Sequence, residues 1–227
     1  LCDRALTCLP LDIPAGESRG AEFRSGPPGT YHYWATTTGM PQTFRGADDT
    51  QLSGAFIVDP PGAATDDDRI FVVTEWTSLT REQLAQIGQQ DDPGATFLKL
   101  RPDVLLLING RSWPHTERLT YRLGERVRWR IVNLSTQIHP MHLHGFYFEV
   151  ESTGDGTRQQ TFDADHTSSV VTHLLQPGAT MAMRWGRCLL PAMVVALAGY
   201  AAADSPLLQV VGRAVGARLQ RMRGGAR

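Results

Sequence analysis

The sequence predicts an all-β protein of the antiparallel sandwich type, and three observations carry that expectation. Short runs of β-branched and aromatic residues, punctuated by Gly, Pro, Asp and Asn, fill the first 185 residues, a pattern of sandwiches rather than of alternating strand and helix units. Where polarity alternates, it does so with a period of two. In residues 125–133, Val127, Trp129 and Ile131 interleave with Arg128, Arg130 and Val132, so three large apolar groups share one face of a half-buried strand that follows a turn at Gly124. Helical spacing, by contrast, is found in one place only.

In chain order, strands are expected at Ala21–Arg24, Thr30–Ala35, Gly54–Val58, Ile70–Glu75, Val104–Asn109, Arg118–Leu123, Glu125–Asn133, Phe146–Glu151 and Thr180–Trp185. The single helix expected lies in TSLTREQLAQIG, where Thr80 caps the start, Gln83 stands three residues on, and Leu84 and Ile87 face a core. Pro60, Pro61 and Gly62 stop a strand, and the acidic run in DPPGAATDDDR (59–69) separates it from IFVVTEW, which divides the β region in two. Residues 1–62 form a first unit, too short for a complete sandwich of seven or more strands, and residues 63–185 a second.

Residues 186–227 are a different text. They hold nine Ala, six Gly and six Arg, with Asp204 the sole acid, and Pro191 and Gly199 break their 15-residue apolar stretch LLPAMVVALAGYAAA. Three readings of this tail stand open: a disordered basic tail, a genuine helix or weak anchor, or a frame-shifted translation of GC-rich DNA. The last accords with Lys99 being the only lysine among 22 basic residues.

Composition narrows the function classes. The 227 residues carry 22 Lys and Arg against 23 Asp and Glu, a net charge of -1, which offers no general electrostatic ground for binding nucleic acid or an anionic membrane. No run reaches the roughly 20 apolar residues of a membrane span, so there is no strong membrane signal. The sequence opens on Leu1 with no charged segment leading into an apolar one, and reads as a fragment or a processed product without a signal peptide. Cys2, Cys8 and Cys188 form no C-x-x-C spacing, and an odd number cannot complete an internal disulfide framework, so compartment is not settled by cysteine. Oligomeric state is not legible.

The chemistry concentrates in HPMHLHG, residues 139–145, which gathers three of the seven histidines within six positions. Residues two apart on a strand share a face, so His142 and His144 converge while Leu143 turns the other way. His139 has the opposite parity, and Pro140, which has no N–H for a ladder, suggests that the chain enters from a loop or bulge at His139. Neutral imidazole suits copper, zinc, nickel and iron alike, so the cluster points to a transition metal without choosing one. The plainer alternative is a set of histidines merely hydrogen-bonded at a strand end.

At this point the sequence resembles the multicopper oxidases, laccase-like blue copper enzymes built from cupredoxin domains. HPMHLHGFYFEV matches their His-Pro-x-His-x-His-Gly signature, and INGRSWP and GERVRWRIVN look like the strands that lead to it. IPAGES, PGTYHYWATTTG and SGAFIVDPPG look like the second half of an N-terminal domain of that family, and the likeness runs over residues 9–185. The resemblance implies cupredoxin-like Greek-key β-sandwich domains, a partial first one and most of a second. It implies copper as cofactor, His139 as a ligand of the mononuclear blue copper, and His142 and His144 as ligands within a trinuclear cluster. It further implies that single electrons from a small-molecule reductant, whether a phenol, an aromatic amine or a low-valent metal ion, reach dioxygen and reduce it to water, in a periplasmic or extracellular location.

The sequence also departs from the family pattern. The family's first His-x-His-Gly pair is not in it, and Trp34 and Thr36 stand where a second pair is expected. His32 lies on the same strand face as position 34 but about 6.8 Å away along the strand, too far to take over that position. After TMAMRW the family continues to His-Cys-His, whereas here the text is GRCLLPAMVV, in which Cys188 has no flanking histidine and none follows. The chain as it stands is therefore expected to be inactive. The alternatives are a non-catalytic copper-binding or scaffold cupredoxin protein holding at most one labile ion, and a damaged gene product that folds poorly. His115, His166 and His173 read as solvated, Met181, Met183 and Trp185 as one core-facing strand face, and Cys2 and Cys8 have no ligand context. No serine nucleophile motif, phosphate loop or paired-carboxylate arrangement stands out.

Overall fold

The computed structural model describes residues 11–42, 45–63, 68–122 and 124–186, so all three cysteines and the tail from 187 lie outside the described residues. The described residues form strands β1 (Gly29–Trp34), β2 (Ser53–Val58), β3 (Asp68–Thr77), β4 (Val104–Ile108), β5 (Val127–Asn133), β6 (His139–His142), β7 (Phe148–Gly154), β8 (Gln159–Thr161), β9 (Ser168–Val170), β10 (Thr172–Leu175) and β11 (Thr180–Trp185). Two short helices, α1 (Arg81–Ile87) and α2 (Pro93–Leu100), separate β3 from β4. The all-β expectation holds. A seven-stranded sheet runs β4-β3-β5-β11-β7-β8 with β9 also on β7, and two further sheets are the pairs β1-β2 and β10-β6.

The period-two pattern explains where the core sits. Val73 of β3, Ile131 of β5, Met181 and Met183 of β11, and Phe148 and Val150 of β7 project from one face of the large sheet and are buried, with Leu175, Met141 and Leu143 packed against them. Burying each such side chain stabilises by about 1.5–3 kcal/mol. Met141 belongs to β6, and Leu175 to β10, so the small sheet is the lid of this core. Met181 and Met183 are thus core residues, as their strand parity suggested.

The opposite face of β5 is not half-solvated as expected. From Arg130 to Asn133 every residue of the strand is buried, because β5 is central and its arginines are neutralised in place. Arg130 pairs with Asp59 and donates from Nε to Asp68 at 2.7 Å, while Arg128 donates from Nη1 to Asp68 at 3.0 Å and from Nε to Glu151 at 2.6 Å. Asp59, just after β2, and Asp68, which opens β3, are therefore both fixed on Arg130. Strand β3 then pairs parallel with β5, an exception to the antiparallel reading.

Other differences have local causes. Ala21–Arg24 and Arg118–Arg122 are not strands. Their composition favours extended chain, but among the described residues neither finds a ladder partner, and β-preference is realised only through pairing and packing. Helix α1 carries the expected capping box, with Gln83 N–H donating to Thr80 Oγ1 and Thr80 N–H to Gln83 Oε1, and it buries Leu84 and Ile87. Helix α2 was not anticipated; it buries no residue fully, and its contact with the core is Phe97, half-buried against Leu79, Leu84 and Ile87. Its signal is an N-cap: Asp92 accepts from Ala95 N at 2.9 Å, with Pro93 in the first turn. No helix of the described residues is long and apolar enough to cross a membrane.

Candidate metal centre

Strand β6 begins at His139, entered as expected from the loop of residues 134–138, with His139 opposite Leu175 and His142 opposite Thr172. Among the described residues its only sheet partner is β10, so its other edge has no ladder partner among them and Pro140 is accommodated. Parity then divides the histidines as expected. His139, Met141 and Leu143 are partly covered on the core side, whereas Pro140, His142 and His144 are exposed. The rings of His142 and His144 meet edge to face, their centroids 4.8 Å apart. The chain turns directly after them at Gly145, whose φ of +80° favours glycine.

Each side of the strand has its own supporting contacts. His142 Nδ1 lies 2.7 Å from the hydroxyl of its cross-strand partner Thr172. With Nδ1–H donated there, Nε2 presents its lone pair outward, the arrangement in which a second group fixes the ring of a metal-ligating histidine. On the other side, His139 Nε2 is 2.8 Å from Ser135 Oγ, and that hydroxyl is itself 2.8 Å from Asn133 Oδ1. Because the Ser135 proton goes to Asn133, Nε2–H of His139 is the donor and Nδ1 carries the lone pair. Asn133 is anchored in turn through Nδ2 to the carbonyls of Gln137 at 2.8 Å and Leu175 at 2.9 Å. Buried Glu75 accepts from the Thr136 hydroxyl and from Gln137 Nε2 at 3.2 Å, which ties the loop before β6 to β3. Burial lowers the proton affinity of His139 and Glu75 opposes that, the net being below the ordinary histidine value, so His139 is a neutral imidazole near pH 7.

The donor set fits one ion better than a cluster. Two adjacent imidazoles with outward lone pairs can hold a single borderline-soft cation, but no group of three His, Cys, Asp or Glu among the described residues is placed to hold a metal. His139 addresses the other side of the strand from the pair. A multinuclear centre does not fit the described residues.

The positions where a second histidine pair was expected are occupied by a different construction. Thr36 Oγ1, Thr37 N, Thr37 Oγ1 and Thr38 Oγ1 all donate to the buried Asp49 carboxylate, at 2.7, 2.9, 2.7 and 3.0 Å. Burial acts to raise the Asp49 pKa, but these bonds outweigh it and hold the carboxyl below its ordinary value. Trp34 lies against the Arg45 guanidinium, whose central carbon is 5.3 Å from the ring centroid. Arg45 is 2% exposed, and burial pulls it down to about 10 against the pull of Asp49, so it remains a cation at neutral pH. His32 does not substitute as a ligand: its Nε2 is 3.0 Å from the Gly178 carbonyl, and a Cβ on Gly156 would lie 2.0 Å from that same nitrogen. His166 is exposed beside Asp163 at 2.6 Å, His115 is exposed, and His173 is half-buried across from Met141.

Sequence reasoning missed Thr172, Ser135, Asn133, Glu75, Arg45 and Asp49. The Thr-Thr-Thr run at 36–38 ahead of an Asp was the one available signal, since neighbouring hydroxyls seek a carboxylate acceptor. The other contacts join distant strands.

Fold and site together define a class: an all-β, cupredoxin-like protein with imidazoles on both faces of one strand. Residues 76–187 match the family model described as multicopper oxidase. A blue copper oxidase from Nitrosomonas europaea is similar in fold, with a TM-score of 0.52 and 19% identity over 77% of this chain and 53% of that one. A second solved multicopper oxidase gives a TM-score of 0.51 and 20% identity over 76% of this chain and 52% of that one. No curated protein sequence matches significantly. Residues 76–187 belong to the multicopper oxidase family, and the chain spans about half the length of these solved relatives. Copper is the metal of that family, which uses dioxygen and a reducing substrate.

Proposed function

We propose that this chain is a multicopper-oxidase-like copper-binding protein in which His142 and His144 hold copper and His139 addresses a separate position behind the same strand. The observation that carries this reading is the pair of exposed imidazoles 4.8 Å apart, one of them oriented by Thr172. Copper would supply one-electron chemistry at that position. This chain's own part is to fix the rings and to keep the strand rigid over a dry core. In the complete family arrangement the function is oxidation of phenols, aromatic amines or low-valent metal ions with reduction of dioxygen to water, in a periplasmic or extracellular setting.

A second reading, copper binding without turnover, is favoured by a specific observation: Trp34 and Thr36 are committed to Arg45 and Asp49 rather than left as open donors. Titration with Cu(II), followed by equilibrium dialysis and optical absorption, separates the two. One tightly held copper per chain in the wild type, lost in the His142→Ala/His144→Ala double variant, is expected. An intense blue thiolate-copper band together with oxygen uptake on a phenol would establish the oxidase. A pale complex without oxygen uptake would establish binding alone, and failure of the double variant to change copper uptake would remove the site.

A further inference from the structure

We propose that the buried guanidinium of Arg45 is the recognition element of a second site, for a small planar oxyanion of the carboxylate or hydrogencarbonate type. Arg45 uses one nitrogen only: Nη1 donates to the carbonyls of Asp49 at 2.6 Å and Ala35 at 3.1 Å, with Leu52 O at 3.4 Å. Its Nε and Nη2 are buried and have no hydrogen-bond partner among the described residues. These are the two nitrogens whose N–H bonds run parallel along one edge of the guanidinium plane, the fork that takes both oxygens of a planar anion.

The nearby acid cannot fill that fork. Both Asp49 carboxylate oxygens are taken by the Thr36–Thr38 donors, and what Asp49 offers Arg45 is its main-chain carbonyl. Trp34 covers a face of the guanidinium and leaves the edge in its plane uncovered by that contact. A buried cation whose bidentate edge meets no acceptor is the arrangement least tolerated in a protein interior, and an unpaired buried polar group calls for a bound ion or water.

The surroundings point to an acceptor-rich guest. Gln42 Nε2 is a further buried donor without a partner. Gln42 and His32 both reach Gly178: a Cβ there would meet Gln42 Oε1 at 3.0 Å, and the Gly178 carbonyl takes the His32 Nε2 contact. Arg45 in turn bears on His32 through its charge. Among the described residues Arg45 Nε, Arg45 Nη2 and Gln42 Nε2 are orphaned donors, and His32 Nδ1 is an orphaned acceptor. Water can satisfy donors singly, but an oxyanion also balances the charge, and a protonated oxygen on hydrogencarbonate would serve His32 Nδ1.

The test is a titration of the ¹⁵N-labelled full chain with sodium formate, with sodium sulfate at matched ionic strength as control, following the Arg45 Nε–H resonance, identified by its nuclear Overhauser contact with the Trp34 ring. The expected result is a saturable shift with formate and none with sulfate, together with a higher Tm in formate that Arg45→Lys, which keeps the charge without the fork, abolishes. If Arg45→Lys does not fold, a crystal structure of the wild-type chain grown from formate takes its place, with a planar anion on Nε and Nη2 expected. An unresponsive Nε–H, an equal response to sulfate, water alone against the fork, or a carboxylate of the chain itself seated there would each overturn the proposal.

Discussion

Strand β6 and the segment from Trp34 to Asp49 are two of the places where the family resemblance expects histidine ligands, and the chain treats them in opposite ways. At β6 the imidazoles stay exposed with a lone pair free, and the protein's contribution is made from behind, through Thr172 on one side and the Ser135–Asn133 relay on the other. At residues 34–49 nothing is left free on the acid: three threonines saturate Asp49, and Trp34 takes up the cation. One region presents its side chains to solvent, and the other saturates its acid internally while the Arg45 fork stays without a partner. The lesson is that sharing a family's backbone does not preserve a site. With Trp34 and Thr36 at the end of the strand, the side chains there serve a buried cation and a buried carboxylate in place of a metal.

The largest effect expected from breaking this contrast is at Asp49. Asp49→Ala removes the acceptor of four bonds and leaves buried Arg45 without a neighbouring anion, and should cost about 3 kcal/mol or more in denaturant unfolding. Copper uptake at β6 should not change. Because the Asp49 pKa is held below its ordinary 3.8, its stabilisation is fully present above that ordinary value and is lost as pH falls through the lower folded value. The wild type should therefore lose this term only in strong acid, while the variant shows no such step. A loss under about 1 kcal/mol, within the range of ordinary surface substitutions, would mean that the segment is not the closed polar core described.

A smaller effect is expected on the open side. Thr172→Val keeps the shape of the exposed cross-strand partner but removes the hydroxyl that orients His142, so copper affinity should fall about 10-fold or more, the usual cost of losing such a support. Unfolding stability should stay within about 0.5 kcal/mol, because the position is exposed. If affinity is unchanged while His142→Ala abolishes binding, the Thr172 contact is incidental to the site.

How much of this was legible follows from what each feature depends on. Strand β5, strand β11, helix α1 and the division of His139 from His142 and His144 depend on local periodicity and capping, and were readable as such. What the sequence could not show were pairings between distant residues. Arg130 is buried only because Asp59 and Asp68 arrive from the other side of the acidic linker, so β5 was expected to be half-solvated. Glu75 reaches Thr136 and Gln137 across the core sheet. Position 36 could be seen to lack a histidine, but not what replaces it, since Asp49 lies 13 residues on and a hydroxyl by itself names no partner. A blue copper site needs a Cys thiolate between histidines, which GRCLLPAMVV lacks, Cys188 itself lying outside the described residues, and a readable motif alone did not bring the remaining ligands together.

The smallest effect sharpens the contrast at its boundary, on His32, the one histidine in the closed region. Burial lowers its pKa, the Gly178 carbonyl and Asp155 oppose this, Arg45 adds to it, and the net is below 6.5. A histidine depressed in the folded state is bound by protons more readily when unfolded. Stability is therefore at its plateau above about pH 7 and declines as pH falls through 6.5 toward the lower folded value, by about 0.7 kcal/mol or less between pH 7 and 6 for a single such group. His139 and His173 are lowered by burial as well, so the chain's total slope exceeds that of His32. His32→Gln keeps an amide able to donate to Gly178 and should remove only its own share, measurable as a shallower dependence of the urea midpoint on pH between 7 and 5.5. An unchanged slope would mean that His32 charges freely in the folded chain. That in turn would require Nδ1 to have an acceptor within the same interior as Arg45, which is the one place where the closed region could still be open.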